Sequence, residues 1–297
     1  MKHKLLFDSK LRRAMRVACF MSGSGTNVRK IIEHQLRLKR ERGKSPYEVV
    51  VIFTDNPKSN AKIIAEEYGI PFVLNDIKKF YNGRNIRDMF IRGEYDKKTL
   101  ESIELYNIDL IALGGYAWVV TKPLLFRYTI VNVHPADLSV RVNRKRKYVG
   151  LHHIPAMKAI LAGEKYLHSS VHLVTRNLDM GEILIISKPL KVELPIDLED
   201  LKKTKNKSLL IKVAQEHQSK LKEIGDWEIF PLTIQWIAEG RFVIDEESLT
   251  NNSINTFYTD TTWRILSVQE SFFWTSDLYN FTLDVHFAET SCSHIPG

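Results

Sequence analysis

Along the first half of the chain, short apolar runs alternate with stretches whose apolar residues recur at helical spacing. Residues 17–21, 49–53, 110–113 and 130–133 are near-continuous runs of Val, Ile, Leu and similar side chains, the composition of strands buried on both faces. Between them, 27–40, 60–68, 100–105 and 123–128 read as helices. Ile31, Ile32 and Leu36 line one side of the first, while Gly69 and Pro71 stop the second. This alternation predicts an α/β fold: an open, mostly parallel sheet with helices on both faces. After residue 150 the texture changes. A helix over 155–161 stops at Gly163, and 171–174 and 183–187 read as strands joined by a loop short enough for an antiparallel pair. Helices are expected over 209–224 and 227–238, the second ending at Gly240. The C-terminal part of the fold is therefore expected to be antiparallel.

Three segments follow from this texture. Residues 1–15 form a basic N-terminal arm, expected to be solvated, and 16–243 form one domain. Residues 244–297 form an aromatic-rich C-terminal extension (Phe257, Tyr258, Trp263, Phe272, Phe273, Trp274) without a clean period and without an assignable role. Packing over the main domain or a subunit contact is expected of so many aromatics, and a homodimer stays open.

Composition narrows the class. A chain of 297 residues, 44% apolar and 26% charged, suits a globular protein with a substantial core. No apolar run approaches the roughly 20 residues that span a bilayer. At the N-terminus, Leu5, Leu6 and Phe7 are too few for a signal-peptide core, so no membrane partner is expected. Cys19 and Cys292 show no disulfide or zinc spacing; a reducing cytoplasm and the absence of a metal are the expectations. The net charge of +8 raises nucleic acid as a partner, but the charge is scattered and no binding motif is present, so none is expected. The densest cluster, RVNRKRK at 141–147, reads as a solvated loop, as a collar for an anionic ligand, or, third, as a nucleic-acid patch.

The candidate chemistry lies where strands end. Asn132 and His134, two positions apart at the end of one run, share a face in an extended chain. A neutral donor beside a titrating imidazole suits a reaction in which a carbonyl oxygen gains charge while a nucleophile loses a proton; ordinary polar residues at a strand end are the alternative. The turns SGSGTN (22–27) and GGY (114–116) follow two other strands. Ligands of open parallel sheets bind at the strands' carboxyl ends, so the three turns are expected to line one crevice. Glycines leading into a helix N-terminus make an anion site. Val28 stands where a dinucleotide motif needs its third glycine and no Gly-Lys-Ser/Thr follows, so a small phosphorylated molecule is favoured over NAD or ATP. A plain connecting turn is the alternative. Asp179, in LDMG after strand 171–174, supplies a carboxylate that would favour the imidazolium of a nearby His, or is an ordinary surface turn residue.

In order, SGSGTN (22–27), YNIDLIALGG (106–115), NVHPADL (132–138), GLHH (150–153), SVHLVTRNLDMG (170–181), QEHQ (215–218) and WIAEGRF (236–242) resemble the phosphoribosylglycinamide formyltransferase family over residues 16–243. The resemblance implies a Rossmann-like fold and transfer of a formyl group from the co-substrate 10-formyltetrahydrofolate to the amine of glycinamide ribonucleotide, in purine synthesis. A related formyltransferase with another amine acceptor, or a formyltetrahydrofolate hydrolase, is the alternative. A catalytically silent folate or nucleotide binder is another, though the trio is intact. The resemblance makes Asn132, His134 and Asp179 catalytic. It assigns the phosphate and ribose to Gly25, Thr26, Asn27, Val213, Ala214, Gln215 and Glu216. It assigns the folate to Arg92, Ala117, Trp118, Val119, Val120 and Asn132, together with Thr175, Arg176, Asn177 and Leu178. His152 and His172 match family histidines near the site.

Three departures bear on the folate side. Trp118 stands where the family carries an Arg that can hold a carboxylate. The stretch between Pro135 and Tyr148 is longer and more basic than usual, and Arg144, Lys145 and Arg146 are candidates for the lost cation. Met180-Gly181-Glu182 replaces the commoner Gly-Gly-Pro.

Overall fold

A computed structural model describes residues 3–203, 207–245 and 256–258 of the chain; the remainder of the aromatic extension lies outside the described residues. The N-terminal elements are β1 (His3–Leu5), β2 (Met15–Met21), α1 (Thr26–Arg42), β3 (Tyr47–Thr54), α2 (Ala61–Tyr68), β4 (Phe72–Leu74), α3 (Ile77–Tyr81), α4 (Met89–Ile103), β5 (Leu110–Leu113), α5 (Lys122–Arg127) and β6 (Thr129–His134). Then come β7 (Arg141–Val142), β8 (Lys145–Arg146), α6 (Ile154–Leu161), β9 (Tyr166–Leu167), β10 (Ser170–Leu173), β11 (Ile183–Ile186) and β12 (Leu190–Lys191). The last are α7 (Leu198–Lys203), α8 (Lys207–Leu221), α9 (Trp227–Ala238), β13 (Phe242–Asp245) and β14 (Thr256–Tyr258).

Seven strands form the central sheet in the order β11-β10-β6-β5-β2-β3-β4. The five from β6 to β4 are parallel, and β10 runs antiparallel to both β6 and β11. The two-residue period of β2 separates two cores. Val17, Cys19 and Met21 pack with Ile31 and Ile32 of α1, Ile64 of α2 and Phe230 and Ile234 of α9. Ala18 and Phe20 face the other way, against Tyr95 and Ile103 of α4 and Leu124 of α5. Near-continuous apolar strands are explained by this: each strand face meets a helical layer.

The expected mostly parallel sheet with an antiparallel end is the observed one. Two short elements, β4 and α3, carry too few residues to show a period and went unexpected. The N-terminal arm differs from expectation. Rather than being solvated, β1 pairs antiparallel with β13, which also pairs with β14, and Phe7 is buried. Its partner strand lies at the other end of the chain, so nothing local marked the arm as structured. The basic cluster at 141–147 is also no plain loop. β7 and β8 form a hairpin whose two turn residues, Asn143 and Arg144, both have positive φ, the geometry of a type I′ turn.

Candidate active site

Strand β6 ends on His134, and its antiparallel neighbour β10 sets His172 opposite Asn132 and Ser170 opposite His134. The end of β6 and the facing β10 thus gather four polar side chains in one place. His134 is 2% exposed and Asp179 5% exposed. The His134 Nε2 donates to the Tyr148 carbonyl at 2.8 Å, so in the neutral ring the Nδ1 lone pair faces Asp179 Oδ1, 3.6 Å away. His172 has the opposite tautomer. Its Nδ1 donates to the Leu173 carbonyl at 2.8 Å, and its Nε2 accepts from Asn132 Nδ2 at 3.3 Å. That same Nε2 lies 3.8 Å from Asp179 Oδ1. One ring nitrogen of each histidine therefore lies within 3.8 Å of the same carboxylate oxygen, and that of His172 already accepts from Asn132.

Burial pushes the His134 imidazole below its ordinary range, although Asp179 pulls the other way; His172 is pushed down for the same reason. The sequence led to the expectation that Asp179 would favour the imidazolium. Its contribution has that sign, but desolvation of the ring is larger, and His134 rests as a neutral base at neutral pH.

Asp179 sits in the left-handed region, φ 55°, which a non-glycine residue occupies at a cost of about 1 kcal/mol. The Gly150 N–H donates to its Oδ2 at 3.1 Å, and Arg146 Nη1 donates to its carbonyl at 2.6 Å. A Cβ on Gly181 would lie 1.8 Å from the Leu173 carbonyl oxygen, so the turn after Asp179 admits only glycine. The departure Met180-Gly181-Glu182 keeps the one glycine that this geometry requires.

The glycine turn lies on the same rim. Ser22 donates its N–H to the Gly115 carbonyl at 3.1 Å, and Gly115 follows β5, the neighbour of both β2 and β6. Gly25 has φ 71°, and a Cβ there would sit 2.5 Å from Ile64 and Met21. The backbone can make this entry into α1 only with glycine. The first turn of α1 then offers its free N–H groups to an anion. Asn27 is buried with its Oδ1 unpartnered, and its Nδ2 donates to Asp226 Oδ2 at 3.4 Å. The Ser169 hydroxyl donates to Asp226 Oδ1 at 2.5 Å, and Ser169 directly precedes β10. A chain of polar contacts thus joins the anion turn to the strand beside His134.

Sequence reasoning missed Asp226. It closes the π-helical turn Lys222–Asp226 just before α9, and burial pushes its carboxyl up to about 6. An acid preceded by glycine and followed at once by an apolar helix was the available signal. Glu216, assigned to the ribose by the resemblance, is on α8. Its side chain is 59% exposed on α8, with Lys212 Nζ 3.9 Å from its carboxylate. Gln215 is exposed too, Ala214 is buried, and Val213 packs against Ala136, Tyr148 and Ala156 in a third core beneath α6. Between α8 and α9 the chain passes through the π-helical turn that brings Asp226 to Asn27.

On the folate side, Arg92 is buried and committed. Its Nε donates to the Val119 carbonyl at 2.8 Å, and its Nη2 to Asp96 at 2.7 Å and to the Tyr116 hydroxyl at 2.9 Å; Nη1 alone has no partner. The guanidinium shapes the 116–120 turn, in which Val119 is exposed and Val120 buried. Ser22 Oγ accepts the Ala117 N–H at 2.9 Å, and the Trp118 indole donates to Asp55 at 2.6 Å. Thr175, Arg176, Asn177 and Leu178 form the turn into Asp179. There the Thr175 hydroxyl donates to the Asn177 carbonyl at 3.2 Å, Arg176 lies over the Phe126 ring at 5.2 Å and Leu178 is exposed. Of the three residues offered as a replacement cation, Arg144 and Lys145 are exposed at the hairpin tip, but Arg146 is buried against the Asp179 turn. Arg146 is no solvent-facing collar. His152 is exposed at φ 56°, apart from the buried His172.

A family model described as "Formyl transferase" matches residues 15–214. The phosphoribosylglycinamide formyltransferase of Haemophilus influenzae is 28% identical over 228 residues, 76% of this chain and 88% of that protein. That of Escherichia coli is 25% identical over 240 residues, 79% and 92% of the two chains. Among solved structures, glycinamide ribonucleotide transformylase 1 from Symbiobacterium toebii superposes with a TM-score of 0.56 at 25% identity, covering 78% of this chain and 92% of that one. The Streptococcus pneumoniae phosphoribosylglycinamide formyltransferase, at 21% identity and TM-score 0.53 over 74% and 97%, shares the fold.

Proposed function

The chain belongs to the formyl transferase family, and from that premise we propose that it moves a formyl group from 10-formyltetrahydrofolate to the amine of glycinamide ribonucleotide, a step of de novo purine synthesis in the cytoplasm. One observation carries the reading: Asn132, His134 and Asp179 meet at a strand end, on the same sheet rim as the glycine turn.

The residues divide the work. The N–H groups opening α1 at Gly25, Thr26 and Asn27 hold the phosphate of the ribonucleotide. Asp226, hydrogen-bonded to Asn27, is an acid beside that anion. The folate co-substrate supplies an activated formyl group, which the turns 116–120 and 175–178 receive. Asn132 is half-buried and gives one N–H to His172, which fixes its amide. Its other N–H donates to the formyl oxygen as that oxygen becomes negative, an effect worth about 3–4 kcal/mol in comparable sites. Neutral His134 takes the proton of the attacking amine. The Asp179 carboxylate stabilises the imidazolium so formed, and that imidazolium can return the proton to the departing folate nitrogen. These steps need no metal. The partners are small molecules; homodimerisation and the limits 16–243 for the catalytic unit belong to this same reading. Among the described residues, no helix is long and apolar enough to cross a membrane.

A spectroscopic formyl-transfer assay with glycinamide ribonucleotide, run beside His134→Ala, tests the proposal. Formylated product from the wild type alone is expected. Formate released without any amine would replace the reading with a hydrolase.

A further inference from the structure

The long segment between β6 and α6 touches the acid–base pair at three positions two residues apart. Arg146 Nη1 donates to the Asp179 carbonyl, the Tyr148 carbonyl accepts from His134 Nε2, and the Gly150 N–H donates to the Asp179 carboxylate. Both ends of Asp179 and one nitrogen of His134 are thus tied to a single ribbon. Arg146 is 7% exposed, although it belongs to the most basic stretch of the chain. A two-residue hairpin with a left-handed turn fixes the strand that carries it. Burying a guanidinium is costly unless its surroundings compensate. Burial pushes the Arg146 guanidinium down, and the carboxylates opposing that are Glu182, whose own carboxyl burial pushes up to about 7, and Asp179. Glu182 occupies one of the positions where the Asp179 turn departs from Gly-Gly-Pro.

We propose that Arg146 is a positioning residue of the active site: the β7–β8 hairpin uses it to hold the strained Asp179 turn against His134. This inference rests on the proposed formyl transfer for its kinetic consequence, though not for its geometry. The groups that face His134 are Asp179 and His172 from the sheet side, Arg146 from the hairpin and Lys158 from α6. Asp179 draws a proton onto the ring, whereas Arg146 and Lys158 repel one. Facing Arg146 in turn are Arg141, Glu182 and Asp179. Removing the Arg146 charge therefore leaves His134 with a net greater pull toward the imidazolium. Removing its fork also frees a left-handed Asp residue to relax toward ordinary backbone geometry.

The test uses Arg146→Met and Arg146→Lys in the full chain, with two readouts. In an NMR titration of the imidazole signals, Arg146→Met is expected to move the His134 midpoint to higher pH, while Arg146→Lys, which keeps the charge, leaves it near the wild-type value. In the formyl-transfer assay, Arg146→Met is expected to lower kcat at least tenfold with KM for either substrate within about threefold, and Arg146→Lys to recover part of that loss. Should Arg146→Met prove unfolded by circular dichroism, Arg146→Lys alone decides the matter: kcat equal to wild type would refute the need for the guanidinium fork. An unchanged His134 midpoint in folded Arg146→Met would overturn the proposal, since it would show that neither the charge nor the geometry around His134 depends on Arg146. A wild type inactive toward glycinamide ribonucleotide would instead fault the functional reading, leaving the NMR result to judge Arg146.

Discussion

The two walls of the crevice are built by different means. The anion wall is backbone: Gly25 at φ 71°, a left-handed conformation that strains any other residue, and the opening turn of α1. The acid–base wall is side chains: two histidines and an aspartate, all nearly buried, oriented by carbonyls and by a guanidinium from an inserted hairpin. Helix dipoles and fixed N–H groups do not titrate, so the first wall holds its ligand across a wide pH range. The second wall depends on where a few protons sit. Binding and chemistry are thereby separable, and substitutions on each side are expected to move different kinetic constants.

The largest expected effect is on the chemistry side. His134→Ala removes the base and should lower kcat by roughly 10²–10⁴-fold, with KM for the ribonucleotide little changed. A comparable rise in KM would blur the division between the walls. Next comes Gly25→Ala, whose Cβ meets Ile64 and Met21 at 2.5 Å in a left-handed backbone. It should raise KM for the ribonucleotide tenfold or more and cost about 1–3 kcal/mol of stability by denaturant titration, while kcat at saturation falls far less.

Asp226 tests the join between the walls. Its carboxyl, pushed up to about 6 from an ordinary 3.8, binds its proton more tightly folded than unfolded. That contribution to stability is fully present at low pH and lost as pH rises through about 6. At pH 8 the buried charge then costs on the order of 3 kcal/mol. Asp226→Asn should accordingly melt higher than the wild type at pH 8, with the gain shrinking by pH 4, and should weaken ribonucleotide binding. A gain independent of pH would mean the acid is not buried as a charge.

The same logic applies to the rate. His134 must be neutral to accept a proton, and burial holds it below its ordinary 6.5. Hence kcat/KM should stay level as pH falls through 6.5 and drop only at lower pH. A half-maximum at or above 6.5 would show that the pull of Asp179 outweighs burial. The smallest expected change is for Glu216→Ala, an exposed α8 side chain beside Lys212, which should alter KM by less than about twofold, as surface substitutions do.

How much of this was legible in the sequence follows the same divide. Local signals were enough for the parallel sheet: β5 and α9 fall on the expected residues 110–113 and 227–238, because apolar period and Gly or Pro stops are properties of neighbouring residues. The glycine turn and the pair at Asn132 and His134 were equally plain. Long-range pairings were not. β1 gave no sign because its partner is β13. Asp226 was hidden because only the folded π-helical turn brings it to Asn27. Arg146 read as one more surface cation, since only the folded hairpin shows that it points inward. The sign of Asp179's pull on His134 was legible, but not the larger opposing effect of burying the ring, which is invisible in a list of charges.

The most direct test of the account is a crystal structure with glycinamide ribonucleotide bound. The phosphate is predicted on the N–H groups of residues 25–27, with the ribonucleotide amine reaching toward His134 and Asn132. A phosphate held by the 141–147 hairpin, or an amine directed away from His134, would contradict it.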